Sequence, residues 1–378
     1  MPPNPMDVLD RVRRDVERNA LRARNGIRLV AGVSPPGVGQ TPKEVVWRHG
    51  RCELWRYRND NVRISPPLLI VFSLVSRSYI LDLAPGNSFV ERLLAAGFDV
   101  YLLDWGVPDE RDAANRLEDY VDEYLPAGIE QVRRLAGTDD VNLLGYCLGG
   151  VLAMLHAAHH PDSPLRGLTV MATPADLQRL GPLSDVFRVG GLDPDMVLDA
   201  DGNVPADLIW QAFRSLTPTA EITQYVNLWE RLWSDEYVAA HQLMTGWAGD
   251  HIPLPGGVAR QLAQMTRDNA LVNDQVVLGG DRVHLADIKV PFLAVLARRD
   301  PIIPEASAAP LVDLVGSSDK QELRLDGGHI GLVVGKTAAK STIPTIIDFL
   351  QQRSEMAVGT PSASPTNLAR TGAPDDHP

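Results

Sequence analysis

In the first half of the chain, short apolar runs alternate with longer stretches whose apolar residues recur at helical spacing. The apolar runs are Leu68–Phe72, Val100–Leu103, Val141–Leu144 and Leu168–Met171. The stretches between them cover residues 88–96, 113–135 and 150–160. A strand that is buried on both faces is apolar throughout, and a crossover helix joins it to the next parallel strand. The pattern therefore predicts an α/β protein whose mostly parallel sheet carries helices on both faces.

Two other elements are predicted before this alternation begins. The first is an amphipathic helix from about Met6 to Val33. Its apolar positions are Val8, Leu9, Val12, Val16 and Leu21. The second is a β-hairpin, because Val45–Arg48 and Cys52–Tyr57 are rich in aromatic and β-branched residues and flank a turn at Gly50.

The alternation stops after Pro174, and the following hundred residues are loop-rich and helical. The strand pattern returns at Val290–Leu296 and Glu322–Leu325, and a last helix is predicted at Thr342–Gln352. A segment rich in Ser, Pro, Thr and Gly follows and is predicted to be disordered. The predicted divisions are an N-terminal helical extension (1–40), a core (41–174 and 288–353), a cap insertion (175–287) and a disordered tail (354–378).

The composition indicates a globular protein, since 44% of the 378 residues are hydrophobic and 22% are charged. A net charge of −12 gives no bulk electrostatic reason to bind nucleic acid or anionic lipid, so neither partner is expected. No apolar run approaches the ~18 residues that span a bilayer, and no secretory signal is visible. Two cysteines are too few for a disulfide scaffold. We predict a cytoplasmic protein without a membrane span.

The most informative motif is a glycine-flanked cysteine between a predicted strand and a predicted helix. Gly145 and Gly149 lie two residues before and two residues after Cys147. This is the pattern of a nucleophile elbow with cysteine in place of the usual serine, and the tight turn requires very small residues at those two positions. The helix N-terminus would favour a thiolate. A free cysteine is more often a small core residue, but the flanking elements and paired glycines favour a nucleophile.

A cysteine nucleophile needs a base, and the base needs an orienting group. Asp300 follows one late apolar strand, and His329 lies in a glycine-flanked loop after the next. Taken singly, a turn aspartate and a surface histidine are ordinary features. Their order after Cys147 is that of the α/β-hydrolase fold. We therefore predict a catalytic triad in an α/β-hydrolase core that carries an inserted cap.

Two backbone N–H groups are expected to form an oxyanion hole beside the nucleophile. Leu148, the residue after Cys147, supplies the first. The loop after the strand Leu68–Phe72 should supply the second, and Val75 is the predicted donor.

Other candidate groups are interpreted as structural. His156, His159 and His160 share a helix at metal-like spacing, but no carboxylate or cysteine motif accompanies them. We expect a solvated helix face there and no metal site. The tryptophans of the insertion are interpreted as cap core rather than as a binding box.

These residues resemble a known family, the polyhydroxyalkanoate synthases, and in particular the short catalytic subunit of the two-component, class III type. The resemblance extends from Thr41 to about Gln352 and is most specific at the cysteine box and at Tyr79–Leu83. The matching segments are Thr41–Val46, Tyr79–Leu83, Val100–Trp105, Gly145–Gly150, Trp247 with Asp250, Leu254–Gly256 and Gly328–Ile330.

The resemblance implies an acyltransferase that polymerises (R)-3-hydroxyacyl-coenzyme A into polyhydroxyalkanoate through a covalent cysteine thioester and releases coenzyme A. It implies no separate cofactor, because coenzyme A is part of the substrate. The expected partners are this substrate, the growing polyester chain and a companion synthase subunit. That subunit is expected because the chain begins only about forty residues before the hairpin. A homo- or hetero-oligomer at the surface of cytoplasmic polyester granules is also expected.

Three segments depart from the usual pattern of the family, namely Ser76–Ser78, Pro301 and Gly335–Thr337. They leave the triad intact but bear on substrate geometry and on how efficiently the chain polymerises. Two alternatives stay open, because the choice between water and an alcohol as acceptor depends on the geometry of the cap. One is a cysteine-dependent hydrolase of the same fold, acting as a thioesterase or polyester depolymerase. The other is a non-catalytic, granule-associated protein that retains the site.

Overall fold

The computed structural model describes residues 5–31, 37–188, 191–217 and 220–356. Eight main strands form one sheet, and each predicted apolar run lies within one of them or extends at most two residues beyond it. The strands are β1 (Lys43–His49), β2 (Cys52–Tyr57), β3 (Ile64–Val71), β4 (Phe98–Asp104), β5 (Val141–Tyr146), β6 (Leu165–Met171), β7 (Phe292–Ala297) and β8 (Lys320–Leu325). Each residue of β5 and β7 is buried, as expected of strands covered on both faces.

The strand order across the sheet is β1-β2-β4-β3-β5-β6-β7-β8. The predicted hairpin is confirmed, since β1 and β2 pair antiparallel with Lys43 opposite Tyr57 and His49 opposite Cys52. β2 is also antiparallel to β4, whereas all neighbours from β4 to β8 are parallel. The carboxyl ends of the parallel strands thus meet at one edge of the sheet, where ligands bind in open α/β folds.

Helices cover both faces of the sheet and fill the chain between β6 and β7. The helices are α1 (Pro5–Val30), α2 (Phe89–Ala96), α3 (Leu125–Ala136), α4 (Leu148–His159), α5 (Pro182–Arg188), α6 (Ala206–Ser215), α7 (Ala220–Arg231), α8 (Asp235–Ala248), α9 (Gly256–Asp268), α10 (Glu305–Ala308), α11 (Leu311–Leu314), α12 (Gly335–Thr337) and α13 (Ile343–Gln351). π-helical turns at Asp119–Tyr124 and Ala338–Thr342 lead into α3 and α13.

The local sequence explains how these helices begin, end and pack. The Ser88 hydroxyl accepts the Glu91 N–H at the start of α2, and Gly97 ends that helix in the left-handed conformation. α3 is amphipathic, with Ile129 and Val132 buried. α4 is apolar on nearly all sides, because it is enclosed between the sheet and its neighbours.

The chain between β6 and β7 contains α5 to α9 and two short antiparallel pairs. These pairs are Asn203–Val204 with Leu254–Pro255, and Val276–Leu278 with Asp281–Val283. The expected loop-rich and helical segment therefore corresponds to the connection between these two sheet strands. We propose that residues 175–287 act as a cap, because several of their side chains close over the carboxyl edge of the sheet, as described below.

The two chain ends agree partly with the sequence prediction. α1 ends at Val30 rather than near Val33, and residues 32–36 lie outside the described residues. Glu355 and Met356 form a short strand beside β3, so the tail predicted from residue 354 starts with ordered residues. The rest of that tail, residues 357–378, lies outside the described residues. Among the described helices, none is both long and apolar enough to cross a membrane.

Candidate active site

Cys147 occupies the sharp turn between β5 and α4. Its backbone has φ 56° and ψ −123°, a conformation that non-glycine residues rarely adopt. The turn is fixed by two hydrogen bonds, because the Cys147 N–H donates to Met171 O at 2.9 Å and its carbonyl accepts the Gly150 N–H at 2.9 Å. The geometry is that of a nucleophile elbow, and it holds the side chain at the carboxyl edge of the sheet.

The flanking glycines are required by close backbone contacts. A Cβ atom at Gly149 would lie 2.2 Å from Val71 O and 2.5 Å from Phe72 O. A Cβ atom at Gly145 would lie 2.4 Å from Gly150 Cα. The sequence prediction that these two positions must be very small is therefore confirmed in physical terms.

Gly149→Ala should consequently destabilise the protein by about 1–3 kcal/mol or more, because backbone atoms cannot move away from the new methyl group. Chemical denaturation measures the change. Gly246→Ala is the matched control, since Gly246 lies in the last turn of α8, where a Cβ meets no atom within 4 Å and helix propensity favours alanine. Equal stability of the Gly149→Ala and Gly246→Ala variants would contradict the close approach at the elbow.

The structure places His329 and Asp300 side by side at the same edge of the sheet. Asp300 follows β7 and His329 follows β8, and His329 Nδ1 lies 2.7 Å from Asp300 Oδ2. Both side chains are buried, with exposures of 6% for His329 and 0% for Asp300. The other carboxylate oxygen, Oδ1, accepts the backbone N–H groups of Ile302 at 2.9 Å and Ile303 at 2.8 Å. The carboxylate is thus fixed in an orientation that holds the imidazole.

The charge balance of the site favours a protonated His329. Burial alone would lower the pKa of His329, but the Asp300 carboxylate and Cys147 outweigh it and raise this pKa to about 10. Cys147 contributes both through its charge and through a hydrogen bond to the imidazole. This coupling between imidazolium and sulfur is what an activated cysteine requires.

Tyr146 supports His329 in a way that the sequence motifs did not predict. Its buried hydroxyl donates to the His329 backbone carbonyl at 3.2 Å, and the two rings lie 5.1 Å apart. The Tyr146 ring also stacks on Phe72 at 5.4 Å. The one sequence signal was the position of an aromatic residue directly before the nucleophile, which alone does not indicate a contact with the distant histidine.

A cavity of about 320 Å³ opens beside these groups and is partly covered by the insertion. Cys147, Tyr146 and His329 lie on its core side, whereas Trp210, Phe213, Trp247 and His251 come from the insertion. Val75 also lines the cavity, and its carbonyl accepts the Ile252 N–H at 3.3 Å.

The interpretation of the insertion's tryptophans as cap core is wrong in part. Trp210 and Trp247 contribute to the cavity wall, although Trp247 is also buried in the core. Trp229 is 72% exposed and belongs to no core. Sequence spacing does not distinguish these environments, because they depend on how the insertion folds over the sheet.

The comparisons with known proteins identify the fold and the family. Residues 82–336 match the model of the alpha/beta hydrolase fold, and residues 11–93 match that of the poly-beta-hydroxybutyrate polymerase (PhaC) N-terminus. The poly(3-hydroxyalkanoate) polymerase subunit PhaC of Allochromatium vinosum is 34% identical over 92% of this chain and 99% of its own length. The chain belongs to the poly(3-hydroxyalkanoate) polymerase family. The α/β-hydrolase fold predicted from the sequence is thereby confirmed.

One further polymerase and one solved hydrolase are also similar to this chain. The subunit PhaC of Haloferax mediterranei is 35% identical over 89% of this chain and 69% of its own length. A solved hydrolase from Pseudomonas aeruginosa PA01 is more distant, with 16% identity and a TM-score of 0.48 over 83% of this chain and 99% of that one.

In this polymerase-family chain, Trp247 and Asp250 of the insertion hold it against the core. Trp247 Nε1 donates to the Arg77 carbonyl at 2.8 Å. The Tyr79 hydroxyl donates to Asp250 Oδ2 at 3.0 Å, and Arg77 Nε donates to Asp250 Oδ1 at 3.4 Å. The insertion is therefore attached directly to the loop that contains Val75.

The interpretation of the three helix histidines as a solvated face is wrong for His156, which is 1% exposed. Its ring nitrogens lie 2.9 Å from Val121 O and 2.9 Å from Ser163 Oγ. His159 and His160 both contact Asp122 Oδ1, at 2.9 and 2.8 Å, so a carboxylate does accompany them. One possible ligand atom from each of Asp122, His159 and His160 lies within 4.8 Å of the other two. Hydrogen bonds between the imidazoles and the carboxylate account for this cluster.

Proposed function

We propose that this chain polymerises (R)-3-hydroxyacyl groups from coenzyme A thioesters into a polyester, with Cys147 as the covalent nucleophile. The observation that carries the proposal is the position of Cys147 at a strained elbow, coupled to the His329–Asp300 pair and facing a covered cavity. Family membership supports the reaction, because the relatives are named poly(3-hydroxyalkanoate) polymerases.

In the first half-reaction, the Cys147 thiolate attacks the thioester carbonyl carbon and a carbon–sulfur bond forms. The tetrahedral oxyanion is held by the N–H groups of Leu148 and Val75 in our proposal. Among the described turns, loops and caps, neither of these N–H groups donates to another protein atom, which supports the assignment. The bond to coenzyme A then breaks, and the departing thiolate takes the proton of the His329 imidazolium.

In the second half-reaction, the 3-hydroxyl of another monomer or of the chain end attacks the Cys147 thioester. His329 accepts the hydroxyl proton, the new ester forms and the Cys147 thiolate leaves. Asp300 holds the imidazole and stabilises its cation throughout. A thioester intermediate retains the acyl-transfer potential of the substrate, which makes the attack by an alcohol favourable.

The cap side chains support transfer to an alcohol rather than to water. Trp210, Phe213 and Trp247 contribute apolar surface to the cavity, so the acyl group is enclosed in surroundings that disfavour water. Hydrolysis by a thioesterase or depolymerase remains the competing outcome that an experiment must exclude. The reaction requires no cofactor in this proposal, since coenzyme A enters with the substrate.

Incubation with 3-hydroxybutanoyl-coenzyme A, with released thiol and acyl product followed together, tests the proposal. We expect polymer to form in proportion to the coenzyme A released. Free 3-hydroxybutanoate as the main product would identify a hydrolase instead. Absence of both products would favour the non-catalytic, granule-associated alternative and overturn the proposal.

We also propose that a companion subunit binds the catalytic chain, and that the assembly lies at the surface of polyester granules. Large apolar side chains support this, since Ile27 on α1 is 69% exposed and Tyr225 and Trp229 on α7 are 67% and 72% exposed. α1 and the segment after α7 are in contact, because Asn25 Nδ2 donates to Leu232 O at 2.8 Å. The exposed residues thus belong to neighbouring elements, and a protein partner would remove them from water.

The purified chain alone should therefore polymerise slowly and after a lag, whereas the complex with its companion should start without one. The measurement compares lag time and specific activity of the lone chain and of a complex co-expressed from the same genome. Full and lag-free polymerisation by the lone chain would contradict the companion proposal and leave the triad untouched.

A further inference from the structure

The cavity beside Cys147 contains two polar side chains that no described protein group satisfies. Ser73 Oγ and His251 Nδ1 are both buried, and neither has a hydrogen-bond partner among the described residues. Both residues line the cavity that also contains Cys147 and His329. Buried polar atoms are nearly always hydrogen-bonded, so two unsatisfied atoms in the wall of one cavity need an explanation. A bound ligand with a complementary polar group supplies one.

Several other polar side chains of the same cavity have hydrogen-bond partners within the protein. Gln224 Nε2 donates to Thr245 Oγ1 at 3.1 Å, for example, so this pair has no need of a ligand. Among the described residues that line this cavity, Ser73 and His251 are the ones with a buried side-chain polar atom that lacks a hydrogen-bond partner.

Backbone contacts place both residues beside the proposed oxyanion hole. Ser73 precedes Val75 by two residues on the same loop. His251 forms an isolated β-bridge with Ser76, and the next residue, Ile252, donates its N–H to Val75 O at 3.3 Å. The imidazole also packs against the Phe213 ring, 5.3 Å away between ring centres. The two side chains thus flank the segment that would hold the carbonyl oxygen of the acyl group.

The chemistry of this pair suits a neutral hydroxyl group. Burial lowers the pKa of His251, against the opposing effect of Asp250, so the imidazole is neutral near pH 7 and offers one donor and one acceptor. A serine hydroxyl likewise donates and accepts. An alcohol is chemically complementary to both groups, because it also donates one hydrogen bond and accepts others.

We propose that Ser73 and His251 bind the 3-hydroxyl of the acyl group and thereby select hydroxylated substrates. This inference rests on the proposed function, in which the thioester carbonyl lies at the N–H groups of Leu148 and Val75. In a 3-hydroxyacyl group the hydroxyl is two carbons from that carbonyl, so it falls beside the same loop. An acyl group without the hydroxyl leaves both protein atoms unsatisfied, which penalises its binding.

The test measures the first burst of coenzyme A release with two substrates, 3-hydroxybutanoyl-coenzyme A and butanoyl-coenzyme A. Butanoyl-coenzyme A lacks the hydroxyl, so it can acylate the enzyme but cannot be extended. The wild-type protein should acylate faster with the hydroxylated substrate at limiting concentration. His251→Phe and Ser73→Ala should each reduce this preference by about tenfold, the loss of one hydrogen bond.

Two further variants separate recognition from structural damage. His251→Gln keeps an amide that can donate and accept, so it should retain part of the preference. His241→Phe is the matched control, because His241 lies on α8, its pKa is also lowered by burial, and it does not line the cavity. It should leave the preference unchanged. If His251→Phe does not fold, Ser73→Ala and His251→Gln carry the test.

An unchanged preference in Ser73→Ala and His251→Phe, or an equal loss with both substrates, would overturn the inference. That failure is distinct from failure of the proposed function, which would appear as no coenzyme A release by the wild-type protein with either substrate, or as free 3-hydroxybutanoate in place of polymer.

Discussion

Cys147→Ala should reduce coenzyme A release by at least about a thousandfold, because no other described group at the elbow can form the thioester. Cys147→Ser should retain little activity, since a hydroxyl is much harder to deprotonate than a thiol. Released thiol during incubation with 3-hydroxybutanoyl-coenzyme A measures both effects. Circular dichroism and thermal melting should show that each variant folds.

Cys52→Ser is the matched control for the nucleophile. Cys52 is the second cysteine of the chain, and it is buried in β2. Burial strongly raises the pKa of the Cys52 thiol, so it stays protonated and unreactive at neutral pH. We expect the control to keep its activity. Near-normal turnover by Cys147→Ala, or loss of turnover in a well-folded Cys52→Ser variant, would contradict the assignment of the nucleophile.

His329→Gln should lower kcat by about a thousandfold or more, and Asp300→Asn should have a smaller effect. The reason is that His329 transfers a proton in both half-reactions, whereas Asp300 orients and stabilises the imidazole. Steady-state kinetics on the two purified variants measure the order. Retention of most activity by His329→Gln, with a different histidine proving essential, would show that the triad is wrong.

The contact between Asp300 and His329 also predicts how the pKa of His329 changes when Asp300 loses its charge. The Asp300 carboxylate helps to raise the pKa of His329 to about 10, whereas burial acts in the opposite direction. Removal of that charge in Asp300→Asn should therefore lower the pKa of His329. NMR titration of the His329 imidazole in the wild-type protein and in Asp300→Asn checks the sign. A rise in the pKa of His329 would contradict the electrostatic account.

The strands and the elbow could be predicted because their signals are local. The run Val141–Leu144 lies within β5, which ends at Tyr146 directly before Cys147. The need for glycine on both sides of Cys147 could be predicted because the turn is tight. The short distances from a Cβ at Gly149 to the carbonyl oxygens of Val71 and Phe72 explain this need. The order of Asp300 and His329 after two late strands also placed them at one edge of a parallel sheet, where they contact each other.

The contacts that the sequence did not reveal join residues far apart in the chain. Tyr146 reaches His329 only because β5 and the loop after β8 end at the same edge of the sheet. Asp122 contacts His159 and His160 because the π-helical turn Asp119–Tyr124 lies beside the end of α4. No local sequence pattern predicts this contact. His251 stands out only once its unsatisfied nitrogen is seen in the cavity wall.

Contacts between distant residues also determine the arrangement of the cap, and the sequence does not reveal them. Its helices could be expected from composition, but which tryptophans face the cavity depends on contacts such as those of Trp247 with Arg77 and of Asp250 with Tyr79. These contacts connect the insertion to the loop of the proposed oxyanion hole. In our proposal, acyl-group selection and water exclusion therefore depend on the contacts between these two segments.

The most direct test of the central claim is mass spectrometry of the protein quenched with acid during turnover. After incubation with 3-hydroxybutanoyl-coenzyme A, the peptide that contains Cys147 should carry at least one 3-hydroxybutanoyl group. Neutral hydroxylamine should remove that group, as expected for a thioester, and the Cys147→Ala variant should not acquire it. Coenzyme A release with the acyl group on another residue, or with no acyl-protein at any quench time, would contradict the account.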